Sequence, residues 1–154
     1  MKFNILITDD NIFNIYVLEM QIKKLTGFDV DITKAANGQE ALDEFKNRNH
    51  REETFSEKEK VGGLPRELQP INLIFMDCMM PIMDGYQSSK EIKNLIGTNN
   101  NLYYGCVIVG CTAKSCDAEE KRVGFEAGMD YILEKPISES SLRTLMNNIQ
   151  FQII

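Results

Sequence analysis

The chain has 154 residues, 43% of them hydrophobic and 26% charged, a size and balance that fit one soluble domain with a single buried core. Its net charge of −6 argues against a nucleic-acid surface, whose affinity comes largely from Lys and Arg. No run approaches the ~20 apolar residues of a membrane span, and the opening "MKFNILITDD" passes directly into acids without a small-residue cleavage site, so it reads as a first strand in a cytoplasmic protein.

Strand-like and helix-like segments then alternate. "FNILIT" (3–8) is a short apolar strand. Helical periodicity follows, with Ile15, Leu18, Ile22 and Leu25 on one face and Gly27 as the stop. "DVDIT" (29–33) reads as an edge strand with polar alternation. Asn37 is placed to cap a helix, with Glu40 at the reciprocal capping position and Ala41, Leu42 and Phe45 facing inward.

"INLIFM" (71–76) and "CVIVGC" (106–111) read as fully buried strands, with a helix over 84–96 between them. A further helix is expected over 117–127, ending at Gly128, then a short strand "YIL" (131–133). The last helix, 138–150, has Ser138 as N-cap and Leu142, Leu145, Met146 and Ile149 as its apolar stripe. The sum is (βα)5. Continuous apolar strands separated by amphipathic helices predict an α/β fold, a doubly wound five-stranded parallel sheet covered on both faces.

Residues 49–70, "NHREETFSEKEKVGGLPRELQP", break this rhythm. Five Glu stand against four Lys or Arg, so the charges nearly cancel. The segment reads as a solvated insertion, with a helical extension through Lys60 and a turn at Gly62-Gly63; a partner-docking loop is the alternative. Cys78, Cys106, Cys111 and Cys116 form no CxxC pair, and His50 is the sole histidine. That pattern suits buried thiols in a reducing compartment and not a zinc site.

In a doubly wound sheet, ligands bind beyond the carboxyl ends of the strands. The first strand delivers Asp9 and Asp10 there, the third Asp77, the fourth Thr112, and the fifth Lys135 before Pro136. Taken singly, an acid pair, a Thr or a Lys-Pro is a common surface or capping feature. At four strand ends together they form a site. Clustered carboxylates repel unless a cation intervenes, and Mg²⁺ prefers such oxygen ligands. Lys135 and the Thr112 hydroxyl can meet an anion, so the set suits a phosphoryl group carried on one carboxylate.

With these residues in place, the sequence resembles the receiver domain of response regulators in two-component and phosphorelay signalling. The resemblance runs from "ILITDDN" through "IFMDCMMPIMDG" and "VIVGCTA" to "GMDYILEKP", nearly the whole chain. It implies a flavodoxin-like sheet of order 2-1-3-4-5 and one receiver domain over 1–154, with the insertion at 49–70. It implies Asp77 as phosphoacceptor, Asp10 as a direct Mg²⁺ ligand, Asp9 acting mainly through water, and the Met79 backbone carbonyl as the remaining protein ligand. Thr112 would be the switch hydroxyl and Lys135 the partner of the phosphate, with a cis bond to Pro136 and a small Ala113 leaving room for the anion. Pro81 and Gly85 would shape the loop that brings the Met79 backbone to the metal, and Asp84 with Gly85 would start the next helix. The donor would be a phosphohistidine on a histidine kinase or a histidine phosphotransfer protein. "DDNIFN", with Asn11 and Asn14, most resembles receivers of hybrid histidine kinases.

One position departs from the family pattern. Ile132 stands where Tyr or Phe is usual, and Tyr131, one residue earlier, should point to the opposite face. Two other readings compete with a phosphorylated receiver. An interaction module that no longer phosphorylates is disfavoured by the full set of acids, hydroxyl and lysine. A phosphatase with an aspartyl nucleophile would want an acid at 79, where Met stands. No output domain follows the last helix, which reads as a stand-alone regulator or as part of a longer protein.

Overall fold

A computed structural model describes residues 3–26, 30–51, 69–98 and 102–153. Five strands and five helices alternate along them: β1 (Phe3–Thr8), α1 (Ile12–Leu25), β2 (Val30–Ala35), α2 (Gly38–Asn49), β3 (Leu73–Asp77), α3 (Gly85–Thr98), β4 (Val107–Thr112), α4 (Ala118–Glu126), β5 (Tyr131–Glu134) and α5 (Glu139–Ile153). The strands form one sheet of order β2-β1-β3-β4-β5, with every pair parallel. This is the doubly wound topology that the alternation of apolar strands and amphipathic helices predicts.

The period-2 alternation of the strands divides the core into two layers. Ile5, Ile7, Leu73, Phe75, Val109 and Cys111 meet Ile15, Leu18 and Ile22 of α1 and Leu142, Leu145 and Ile149 of α5. On the other face Leu6, Ile74, Met76 and Ile108 meet Ala41, Leu42 and Phe45 of α2 and Ile92 of α3. The predicted inner faces of α1, α2 and α5 are therefore the observed ones. Between Ile132 and Tyr131 the sheet also separates as expected: Ile132 packs in the second layer and Tyr131 in the first.

Several boundaries differ from the sequence reading for one reason, the ladder. β2 runs on to Ala35 because it pairs with the whole of β1, from Phe3↔Val30 to Thr8↔Ala35. Asp77 and Thr112 are the last residues of their strands, since Asp77 pairs with Cys111 and Thr112 with Glu134. The helix caps follow local chemistry. Asn37 accepts from the Glu40 N–H at 2.9 Å, while the Glu40 carboxylate accepts from the Ala36 N–H at 2.8 Å, one residue before the reciprocal position. Ser138 accepts from Ser141 at the start of α5, and Gly128 ends the α4 region with φ +91°. The predicted stop at Gly27 lies outside the described residues.

Most of the insertion, including Lys60, Gly62 and Gly63, also lies outside them. Its two roots are clamped. The Asn49 amide donates to the Ile71 carbonyl at 2.9 Å and to the Tyr104 carbonyl at 3.1 Å, and accepts from the Ile71 N–H at 2.9 Å. Arg48 reaches the Gln69 carbonyl at 2.9 Å, and His50 bridges to Tyr103. The helix-to-strand geometry around β3 is thus fixed by side chains at the roots. Among the described residues, no helix is long and apolar enough to cross a membrane.

Candidate functional site

The order β2-β1-β3-β4-β5 reverses direction between β1 and β3, and that is where an open α/β sheet leaves a crevice at its carboxyl edge. β1 and β3 are in register at Thr8↔Met76, which brings the next residues, Asp9 and Asp77, level at that edge. Carboxylate oxygens of Asp9, Asp10 and Asp77 lie within 4.8 Å of one another. Asp9 and Asp77 are buried, 6% and 7% exposed, whereas Asp10 faces solvent.

From the far edge β5 delivers Lys135. Its ammonium lies 2.8 Å from Asp9 Oδ2 and 3.1 Å from Asp77 Oδ1. The Lys135 N–H donates to the Thr112 carbonyl at 2.7 Å, which ties the end of β5 to β4, and the Lys135–Pro136 peptide bond is cis. Asp9 is held further by the Asn11 N–H at 2.9 Å and the Asn14 amide at 3.3 Å.

One ammonium among three carboxylates leaves the cluster short of positive charge. Burial raises the Asp77 carboxyl above its usual range, and the neighbouring Asp9 charge adds to the rise, while Lys135 and the Met79 backbone N–H oppose it. Burial acts to lower the Lys135 ammonium, but its hydrogen bonds and charge interactions with Asp9 and Asp77 outweigh it and hold the lysine above its ordinary value. Hard oxygen donors from the two buried acids and one exposed acid fit a small divalent cation such as Mg²⁺. They do not fit a thiolate-bound metal: Cys78 beside Asp77 is buried, and burial pushes its thiol up to about 11. Of the other cysteines, Cys111 is buried and Cys106 and Cys116 are half-buried.

The loop after β3 packs tightly against the end of the strand that carries Asp77. A Cβ on Gly85 would lie 2.1 Å from the Asp77 carbonyl oxygen, so only glycine lets the start of α3 turn back against the Asp77 backbone. The Gly85 N–H donates to the Cys78 carbonyl at 3.0 Å, and Asp84 caps α3 by accepting from Gln87 at 2.8 Å. Met79 is 63% exposed at the mouth. Ile82, with φ 71°, sits in the left-handed region that a β-branched residue rarely adopts, and nothing in the sequence signals it.

Thr112, 2% exposed, ends β4 beside this cluster. Its hydroxyl donates to Glu120 Oε1 at 3.2 Å and accepts from the Lys114 N–H at 3.1 Å. Tyr86 of α3 donates to the same Glu120 oxygen. Sequence reasoning missed both partners. Glu120 follows Asp117 by three residues at a helix start, which reads as a capping acid, and only the fold shows its carboxylate turned to Thr112.

Comparisons with known proteins agree with this geometry. The family model for the response regulator receiver domain matches residues 5–147. The osmosensing histidine protein kinase SLN1 of Saccharomyces cerevisiae is 33% identical over 142 residues, covering 92% of this chain and 10% of that protein. The chain thus spans about a tenth of that relative's length. The two-component response regulator ARR22 of Arabidopsis thaliana is 30% identical over 146 residues, covering 95% of this chain and 82% of ARR22. Among solved structures, the receiver domain of the Arabidopsis thaliana histidine kinase CKI1 in complex with Mg²⁺ and BeF3⁻ superposes with a TM-score of 0.68 at 27% identity, over 96% of this chain and 89% of that one. A receiver of Saccharomyces cerevisiae Ssk1, crystallised with the histidine phosphotransfer protein Ypd1, gives 0.66 at 26% identity, over 99% and 92%. With its five-stranded 2-1-3-4-5 sheet and its acid cluster at the switch point, the chain belongs to the response regulator receiver family.

Proposed function

We propose that the protein takes a phosphoryl group from a phosphohistidine onto Asp77 and uses the resulting charge to alter its surface. The observation that carries this reading is Lys135, whose ammonium contacts both Asp9 and Asp77 across the sheet edge. The Asp77 carboxylate oxygen attacks phosphorus, the P–N bond to imidazole breaks, and the imidazole leaves with the electron pair and takes up a proton. Asp10 would hold Mg²⁺ directly, with Asp77 and the Met79 carbonyl, and Asp9 through water. When bound, the ion offsets the negative charge of the phosphoryl oxygens and the acids. Lys135 is positioned to exchange its carboxylate contact for a phosphoryl oxygen, and Thr112 to donate its hydroxyl to another. Positioning and electrostatics supply most of the catalysis in such a transfer, so the receiver catalyses its own modification.

The donor would be a histidine kinase or a histidine phosphotransfer protein, the class to which Ypd1 belongs in its complex with Ssk1. Beside the acids, α1 exposes Ile12, Phe13, Val17 and Met20, an apolar surface on which a donor helix can dock. The similarity to SLN1 supports a place in a hybrid kinase, with one receiver unit carrying its insertion at 49–70. Phosphorylation would draw Thr112 and Lys135 inward, shifting the α4–β5–α5 face that they root.

A phosphorylated histidine phosphotransfer protein, mixed with this chain and Mg²⁺, tests the reading. Label should move to the receiver as a hydroxylamine-labile acyl phosphate. Phe13→Ala should slow that transfer about tenfold, the loss of ~1.4 kcal/mol of docking, and leave modification by acetyl phosphate as fast as before. Label that stays on the histidine protein, at every donor tried, would overturn the assignment.

A further inference from the structure

Thr112 is a buried hydroxyl with one proton, and that proton is committed. It points to Glu120 Oε1 at 3.2 Å, while the oxygen itself already accepts from the Lys114 N–H. The same Glu120 oxygen accepts the Tyr86 hydroxyl. Glu120 is 11% exposed at its side chain, and its own N–H is held by the Asp117 cap at 2.9 Å. Tyr86 follows Gly85, which packs on the Asp77 backbone, and its ring lies against the core layer under α3. One carboxylate thus joins the start of α3, the end of β4 and the first turn of α4.

We propose that Glu120 is a positioning residue: with Tyr86 it forms a latch that holds the Thr112 hydroxyl, and the phosphoryl group on Asp77 must take that hydroxyl from it. This rests on the reading of Asp77 and Thr112 given above. A single proton cannot serve Glu120 and a phosphoryl oxygen at once, so the two acceptors compete. At 3.2 Å the bond is long for a hydroxyl donating to a carboxylate, so its hold on the hydroxyl is that of an ordinary hydrogen bond, made in a buried place where no water replaces it. Glu120 therefore weights the equilibrium toward the unmodified state. When Thr112 leaves, Glu120 keeps Tyr86 and gains freedom to move with the first turn of α4. Among the described residues, the exposed Lys114 ammonium, 4.0 Å from Glu120 Oε2, is the nearest cation to receive it. The change at Asp77 is carried in this way to the α3–α4 surface by a hydrogen-bond exchange that needs no aromatic residue at 132.

Beryllofluoride with Mg²⁺, a phosphoryl mimic, provides the test through its apparent affinity measured from amide shifts. Glu120→Ala should tighten binding about fivefold, the scale of one ordinary hydrogen bond released, and Glu120→Gln about twofold because the amide oxygen still accepts. Removing a negative charge would also favour an anion by simple Coulomb attraction. The Thr112→Val background separates the two effects: a latch acts through the hydroxyl, so Glu120→Ala should there change affinity by less than about twofold. Unchanged or weaker binding in Glu120→Ala, or an equal gain in the Thr112→Val background, would overturn the latch while the wild type still binds. A wild type that binds no beryllofluoride and gains no phosphoryl group at Asp77 would overturn the reading of the site, and the latch with it.

Discussion

Ile132 of β5 fills the space that a side chain at Gly124 of α4 would need: a Cβ built on Gly124 lies 2.0 Å from Ile132 Cδ1 and 3.0 Å from its Cγ1. The helix can approach the sheet here because one residue is glycine and the other is branched and compact. Gly124→Ala should gain up to ~1 kcal/mol of helix propensity and lose about 1–3 kcal/mol to overpacking. Ile132→Val removes the clashing Cδ1 atom. Denaturant unfolding of the four-member cycle should therefore show Gly124→Ala to be at least ~1 kcal/mol less harmful in the Ile132→Val background. Additive effects of the two substitutions would mean that the contact does not set the helix position.

The same contact bears on what the sequence disclosed. The two-layer core and the convergence of Asp9, Asp10, Asp77, Thr112 and Lys135 were legible because each follows from apolar period and from where a strand must end, whereas the strand order came only with the resemblance to the receiver family. Ile132 was visible only as a departure from a family pattern. Its partner Gly124 looked like an ordinary helix residue, since close approach between α4 and β5 depends on their crossing and not on local sequence. Glu120 was hidden for a related reason: a carboxylate in a first helical turn satisfies the local rules of capping and dipole, so nothing local shows that it turns inward. The left-handed Ile82 contradicts its own local preference and could be found only in three dimensions.

Metal binding should separate the two acids of β1. Asp9 is committed, its oxygens taken by the Asn11 N–H and the Lys135 ammonium, whereas Asp10 is exposed at the mouth. Asp10→Ala should abolish Mg²⁺ binding, and Asp9→Ala should weaken it less. The chain has no Trp, so the titration is best followed by amide shifts or calorimetry. Unimpaired binding in both variants would count against a cation site at the end of β1.

Signal lifetime should depend on Met79 and Lys114, two residues beyond the proposed acceptor Asp77 and two beyond the proposed switch hydroxyl of Thr112. Met79 is 63% exposed and apolar, able to crowd an in-line water but not to orient it. Lys114 can donate hydrogen bonds but is a poor base while protonated. Self-dephosphorylation should accordingly be slow. Met79→Asn should accelerate it by about tenfold if ~1.4 kcal/mol of positioning is recovered. A decay rate no faster than the parent's, followed by loss of the acyl phosphate over time, would contradict this role.

The central claim is that Asp77, buried at the end of β3 and paired with Lys135, is the phosphoacceptor. Intact mass after incubation with acetyl phosphate and Mg²⁺ tests it most directly. The wild type should gain the mass of one phosphoryl group, and Asp77→Asn should gain none under the same conditions. An Asn variant modified to the same extent as the wild type would contradict the claim.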